Sequence, residues 1–184
     1  KEIYTTKYAF CALHQSEKIT CWGRQSDGGQ APSPELTNIM NMYSTDSAFA
    51  AVHTDMTVTV WGDSAFGGSL SQPISNVAHI FSNPNAFVAL HNDSTITAWG
   101  DSSYGGSLPQ PLGNVRNVVA TTYAFAALHF NGGVSTWGFK TYGGTEPAGE
   151  LWNVTIIFGT CYTRSLSIYP QSYDGCPYGS AMNI

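Results

Sequence analysis

Charge is what this sequence has least of. Asp, Glu, Lys and Arg make up 10% of its 184 residues, against roughly 25% in a typical soluble protein. Basic residues are the scarcer half, and seven Lys and Arg against twelve Asp and Glu leave a net charge of −5. A general nucleic-acid binder displaces counterions with a basic stripe, and there is none. No apolar run approaches the roughly 20 residues of a membrane-spanning helix. Helical periodicity is missing, while 19 Gly and 9 Pro call for many turns. No GxSxG elbow, HExxH pair or DxDxDG-like calcium loop occurs. Cys11 and His14, three apart on a strand, face opposite sides, and Glu146 and Glu150 sit in a Pro/Gly segment without a cleft. Catalysis is therefore not expected, and no cofactor is implied.

What is present is repetition. Trp-Gly occurs at Trp22-Gly23, Trp61-Gly62, Trp99-Gly100 and Trp137-Gly138, at spacings of 39, 38 and 38. Ala-Phe at Ala9, Ala48, Ala86 and Ala124, and Gly-Gly at Gly28, Gly67, Gly105 and Gly143, keep the same step. So do His14, His53, His91 and His129. Four markers in one register define a repeat array. A degenerate fifth copy follows: Val154–Thr160 lies where Val115–Thr121 lies one unit earlier, and Leu166 is 38 after Leu128. It lacks Trp-Gly. The units run approximately 2–38, 39–76, 77–114, 115–152 and 153–184, in a single repeat domain.

Each unit reads as three short strands. An apolar first strand (Val77–Phe81) precedes a second (Ala86–His91), and a tight turn at Asn92-Asp93-Ser94 leads to an alternating third (Thr95–Trp99). A Gly-rich loop and a Pro-containing crossover (Leu108–Leu112) complete the unit. Phosphate cradles open helices, so Gly-rich turns between strands do not suggest a nucleotide site. Three strands cannot bury both faces alone, so units must stack. The expected fold is all-β: a β-propeller-type array of four three-stranded repeats plus a degenerate, disulfide-braced fifth.

Four cysteines form two local pairs, Cys11/Cys21 and Cys161/Cys176. A hairpin centred on Ser16 sets Cys11 opposite Cys21, where non-hydrogen-bonded partners lie about 4.5 Å apart at Cα, within disulfide range. A zinc site would need a CxxC knuckle or a Cys/His quartet, and neither is present. Disulfides at both ends, with sequons at Asn92 and Asn153, point to an extracellular setting, secreted or at a cell surface.

The run Val118–His129, followed by Gly133–Gly138 and Gly143-Gly144, resembles the repeat of the regulator of chromosome condensation superfamily. Its compact units are similar to those in the propeller of the second-type β-lactamase inhibitory proteins. The resemblance covers residues 2 to 168. It implies a propeller-type fold but no single function, since members range from nucleotide-exchange factors to enzyme inhibitors. Two departures stand out. The Gly-Gln that usually follows Trp-Gly is Gly-Gly here, apart from Gly29-Gln30, and four units plus a partial fifth replace the usual seven blades. An excerpt, a smaller ring and an open array are all consistent with that count, and an open array leaves sheet edges for end-to-end pairing.

The repeated histidines read as hairpin caps rather than metal ligands, because equivalent side chains in stacked units lie far apart. Asp63 and Asp101 read as turn residues, not calcium ligands. His79 is off the register and carries no signal. Phe66, Tyr104 and Tyr142 precede Gly-Gly in three units and are candidate binding platforms. The expected function is a non-enzymatic extracellular structural or adhesive module, a subunit of a surface assembly or filament. The alternative is a soluble recognition module. Expected partners are further copies, another extracellular protein or a glycan.

Overall fold

The computed structural model describes residues 2–145, 151 and 153–158. Cys161, Cys176 and Leu166, with Glu146 and Glu150, lie outside the described residues. Four antiparallel sheets of three strands follow one another along the chain. The first holds β1 (Glu2–Thr5), β2 (Ala9–Leu13) and β3 (Ile19–Gly23). The second holds β4 (Ile39–Ser44), β5 (Ala48–His53) and β6 (Val58–Gly62). The third holds β7 (Val77–Ser82), β8 (Ala86–His91) and β9 (Ile96–Gly100), and the fourth β10 (Val115–Ala120), β11 (Ala124–His129) and β12 (Val134–Gly138). This is the three-strand unit and the all-β array that the repeat implies.

Local chemistry sets each hairpin. The short loop between second and third strands carries a left-handed residue just before its last position: Glu17, Met56, Ser94 and Gly132, with φ of 59°, 65°, 66° and 81°. Asp55, Asp93 and Asn131 tighten three of these loops, each Oδ1 accepting from the backbone N–H two residues on. Asn38, Asn76 and Asn114, each just before a first strand, and Asn153 at the equivalent place before Val154 also have positive φ, which Asn tolerates better than most residues. The Gly-rich loop contains one turn of 3-10 helix in each of the first four units, a detail that strand periodicity could not reveal.

Stacking supplies the core. One face of each sheet presents the Phe and Trp of its middle and third strands, and the other presents small side chains. Phe87, Ala89 and Trp99 of the third sheet pack on Ala48, Ala50 and Val52 of the second. Phe125, Ala127 and Trp137 meet Ala86 and Val88 in the same way, and Phe49, Ala51 and Trp61 meet Ala9 and Cys11. Burying one Phe side chain contributes on the order of 1.5–3 kcal/mol, so these layers, not the isolated sheets, hold the fold. Cys11 and Cys21 are joined by a disulfide, paired across the first hairpin with Cα atoms 4.1 Å apart.

The fifth copy begins in register. Val154 N–H donates to the Gly132 carbonyl at 3.0 Å, as Val77 does to Met56 and Val115 to Ser94. Residues 154–158 are not a strand, and Ile156 and Phe158 are exposed.

Candidate functional site

The recurring polar side chains serve the architecture. Nδ1 of His53, His91 and His129 lies 2.9–3.0 Å from the carbonyls of Thr37, Ser75 and Gly113. A carbonyl only accepts, so Nδ1 carries the proton and Nε2 is left as the acceptor. Nε2 then receives the hydroxyls of Thr59, Thr97 and Ser135 at 2.8–2.9 Å. His14 makes the second bond, to Thr20. Each ring pins its own third strand, and in units two to four it also ties in the segment that leads into the first strand. Both nitrogens are occupied there, which leaves no lone pair aimed at a metal.

Asp63 and Asp101 accept from the N–H of Ala65 and Ser103 at 2.9 and 2.8 Å, capping their 3-10 turns. Asp55 and Asp93 titrate below the usual carboxylate range. The main cause is the hydroxyl of Thr57 or Thr95 donating to the carboxylate, with the backbone N–H of the same residue next.

The three aromatic candidates do not form one ring of platforms. Phe66 is half-buried and packs against the core between the second and third sheets. Tyr104 and Tyr142 come together, joined by two residues that position alone did not single out. Tyr123 lies 4.8 Å from Tyr142, centroid to centroid, and 5.9 Å from Tyr104. Phe139 lies 5.3 Å from Tyr142 and 5.6 Å from Tyr104. Tyr142 is 58% exposed, Tyr123 and Phe139 are partly exposed, and Tyr104 is half-buried. The four rings belong to three repeat columns: 8/47/85/123, 24/63/101/139 and 27/66/104/142. Only the fourth unit is aromatic in all three, and reading the columns together would have revealed it. In the first unit the same columns hold Tyr8, Arg24 and Asp27. There the Arg24 guanidinium sits 3.9 Å over the Tyr8 ring and 3.6 Å from Asp27. One rim therefore runs from a charged end to an aromatic one. The aromatic end offers flat apolar faces with three hydroxyls, which suits protein side chains or sugar rings.

A second row crosses the first strands. The Tyr4 hydroxyl meets the Glu2 carboxylate and lies 3.0 Å from Asn41 Oδ1. Asn41 Nδ2 donates to the Tyr43 hydroxyl, which lies 3.3 Å from His79 Nδ1, and His79 packs edge-on against Phe81. Burial first, then the Glu2 carboxylate, pushes the Tyr4 hydroxyl far above its ordinary pKa and keeps it protonated. His79, silent in the sequence, thus belongs to a row that couples three units.

Asn92 is exposed at a hairpin turn, its Nδ2 donating to Asn76 Oδ1 at 3.0 Å. Asn153 is also exposed. Among the described residues no helix is long and apolar enough to cross a membrane.

No protein-family model and no curated protein matches this chain. Solved structures share its fold. Yeast RCC1 (Prp20), in its complex with Kap60, superposes with a TM-score of 0.55 at 17% identity, covering 83% of this chain and 47% of that one. The CRINKLY WD40 ectodomain of the Arabidopsis thaliana receptor kinase ACR4 gives 0.53 at 18%, covering 80% and 52%. The ectodomain of the Physcomitrella patens receptor kinase CR4 gives 0.53 at 18%, covering 74% and 38%. This chain spans about half the length of these proteins or less. The fold is an array of RCC1-like repeats of propeller type.

Proposed function

We propose that this protein is a non-enzymatic extracellular module with a structural or adhesive role, acting as a subunit of a surface assembly or filament. One observation carries this reading: the first sheet leaves Phe10 44% and Trp22 46% exposed, where the equivalent rings in later units are buried. An uncovered stacking face of this kind is open to a further unit. The Cys11–Cys21 disulfide, the sequons at Asn92 and Asn153 and the likeness to receptor ectodomains support the extracellular setting. Negative-stain microscopy of native, unreduced material tests it. Filaments or sheets are expected, and isolated particles at every concentration overturn the assembly reading.

The Tyr104–Tyr123–Phe139–Tyr142 cluster favours a second reading, a recognition module that takes a protein or glycan on this rim. Tyr104→Ala with Tyr142→Ala should then abolish partner binding while leaving any assembly intact.

A further inference from the structure

Within each of the first four units the three rim columns are tied together by backbone. The residue of the 24/63/101/139 column donates its N–H to the carbonyl of the 8/47/85/123 column, and that of the 27/66/104/142 column donates to it in turn. The side chains placed there differ. In the first unit Arg24 lies over Tyr8 and beside Asp27, so the charges satisfy one another. In the second, Phe66 packs into the core. In the third, Asn85, Asp101 and Tyr104 are neighbours, linked by backbone bonds of 3.0 and 3.1 Å. Tyr104 then meets Tyr123 and Phe139 of the fourth unit at 5.9 and 5.6 Å between centroids.

At this junction of the third and fourth units, aromatic rings and open polar groups coincide. One Asp101 oxygen, Oδ1, accepts from the Ser103 N–H, and Oδ2 has no hydrogen-bond partner among the described residues. The Asn85 side-chain amide and the Tyr104 hydroxyl are likewise unpaired there, and all three residues are half-buried. None of these atoms is sealed from water: among the described residues the one buried side-chain polar atom without a partner is Thr136 Oγ1. Flat rings flanked by a carboxylate and an amide match a ligand that is apolar on its faces and polar around its edge. A pyranose with equatorial substituents is such a ligand, with C–H bonds on each face and hydroxyls around the ring. An apolar protein side chain would instead cover Asn85 and Asp101 without pairing them, which costs desolvation. The Asp101 carboxylate also accepts hydroxyls while repelling an acidic sugar.

We propose that Tyr104, Tyr123 and Phe139, with Asn85 and Asp101, bind a neutral oligosaccharide of β-linked, equatorially substituted pyranoses such as glucose or N-acetylglucosamine. Sugar faces lie on the rings, one sugar hydroxyl donates to Asp101 Oδ2, and the Asn85 amide pairs with another. This inference rests on the recognition reading and names its ligand.

Isothermal titration calorimetry of the whole chain with cellopentaose, chitopentaose and an acidic galacturonate oligomer provides the test, with near-UV circular dichroism confirming that each variant folds. At least one neutral sugar should bind saturably, and the galacturonate should not. Tyr123→Ala removes a platform and should weaken binding roughly tenfold or more. Asp101→Asn keeps the oxygen that caps the turn but loses the carboxylate, and should weaken binding roughly tenfold. Tyr8→Ala, at the charged end of the rim, should leave it unchanged. If neither neutral sugar binds at millimolar concentration, the glycan is overturned, and the partner test with Tyr104→Ala and Tyr142→Ala still decides the recognition reading. If a neutral sugar binds equally well to the folded Tyr123→Ala and Asp101→Asn variants, this rim is the wrong surface and both readings fail. If only the galacturonate binds, through the exposed Lys140, the neutral class is overturned while the recognition reading stands.

Discussion

Phe10 and Trp22 stack at 5.5 Å, and the pairs Phe49–Trp61, Phe87–Trp99 and Phe125–Trp137 stack at 5.4, 5.2 and 5.7 Å. The local arrangement is the same, yet the first pair is nearly half exposed while Phe49, Phe87 and Phe125 are at most 1% exposed. The hairpin register that sets Phe opposite Trp is a property of one unit. Burial is a property of two. Identical residues in identical local structure therefore contribute very different amounts to stability, according to whether a neighbour exists.

The largest test of this comparison is Phe87→Ala against Phe10→Ala. Removing a fully buried Phe should cost about 3–5 kcal/mol, with a cavity left behind. The exposed Phe10 should cost less than about 1 kcal/mol in the dilute, unassembled protein. Equal losses in denaturant melts would break the comparison.

Next comes the disulfide. Cys11 and Cys21 occupy the cross-strand pair that is Ala50/Val60, Val88/Ala98 and Ala126/Thr136 in later units. A covalent brace thus reinforces the described sheet whose Phe and Trp are exposed. Closing a loop of about ten residues contributes on the order of 2–3 kcal/mol in the chain-entropy account. Thermal melts with and without reductant should show that loss, and an unchanged midpoint would remove the brace from the argument.

A smaller contrast concerns the histidine pins. Thr97→Val removes the hydroxyl that His91 Nε2 accepts in the middle of the array, and should cost about 0.5–1.5 kcal/mol. Thr20→Val, at the exposed His14 pair, should cost less. The smallest effect is acid sensitivity. Asp55 and Asp93 have carboxyls held below the usual range by Thr57 and Thr95. A lowered folded pKa means that their contribution is fully present above the ordinary carboxylate pKa and is lost as pH falls through the depressed value. Ser16 and Asn131 hold the same place in the outer units and do not titrate there. Amide shifts of Thr57 and Thr95 should move with acid while that of Gly133 does not.

Much of the array was legible because it repeats. Four copies of Trp-Gly, Ala-Phe and Gly-Gly reported one unit and its length, and the alternation Thr95–Trp99 identified a half-buried strand. The aromatic rim was only partly legible. Tyr104 and Tyr142 stood at a marked position, but Tyr123 and Phe139 become partners only when neighbouring units bring three loops together. Phe66 shares the Tyr104 column and is drawn into the core instead. His79 carried no periodic signal because its partners, Tyr43 and Phe81, lie on two different first strands.

By itself, the sequence determined the repeat length, the three strands of each unit, the hairpin that sets Cys11 against Cys21 and the histidine caps. All of these depend on residues a few positions apart, where chain connectivity dictates who meets whom. Only the tertiary structure decided which Phe–Trp pair is exposed and which aromatics gather on the rim. Those outcomes depend on contacts between units some 38 residues apart. Every copy there carries nearly the same local chemistry, and the presence or absence of a neighbour makes the difference.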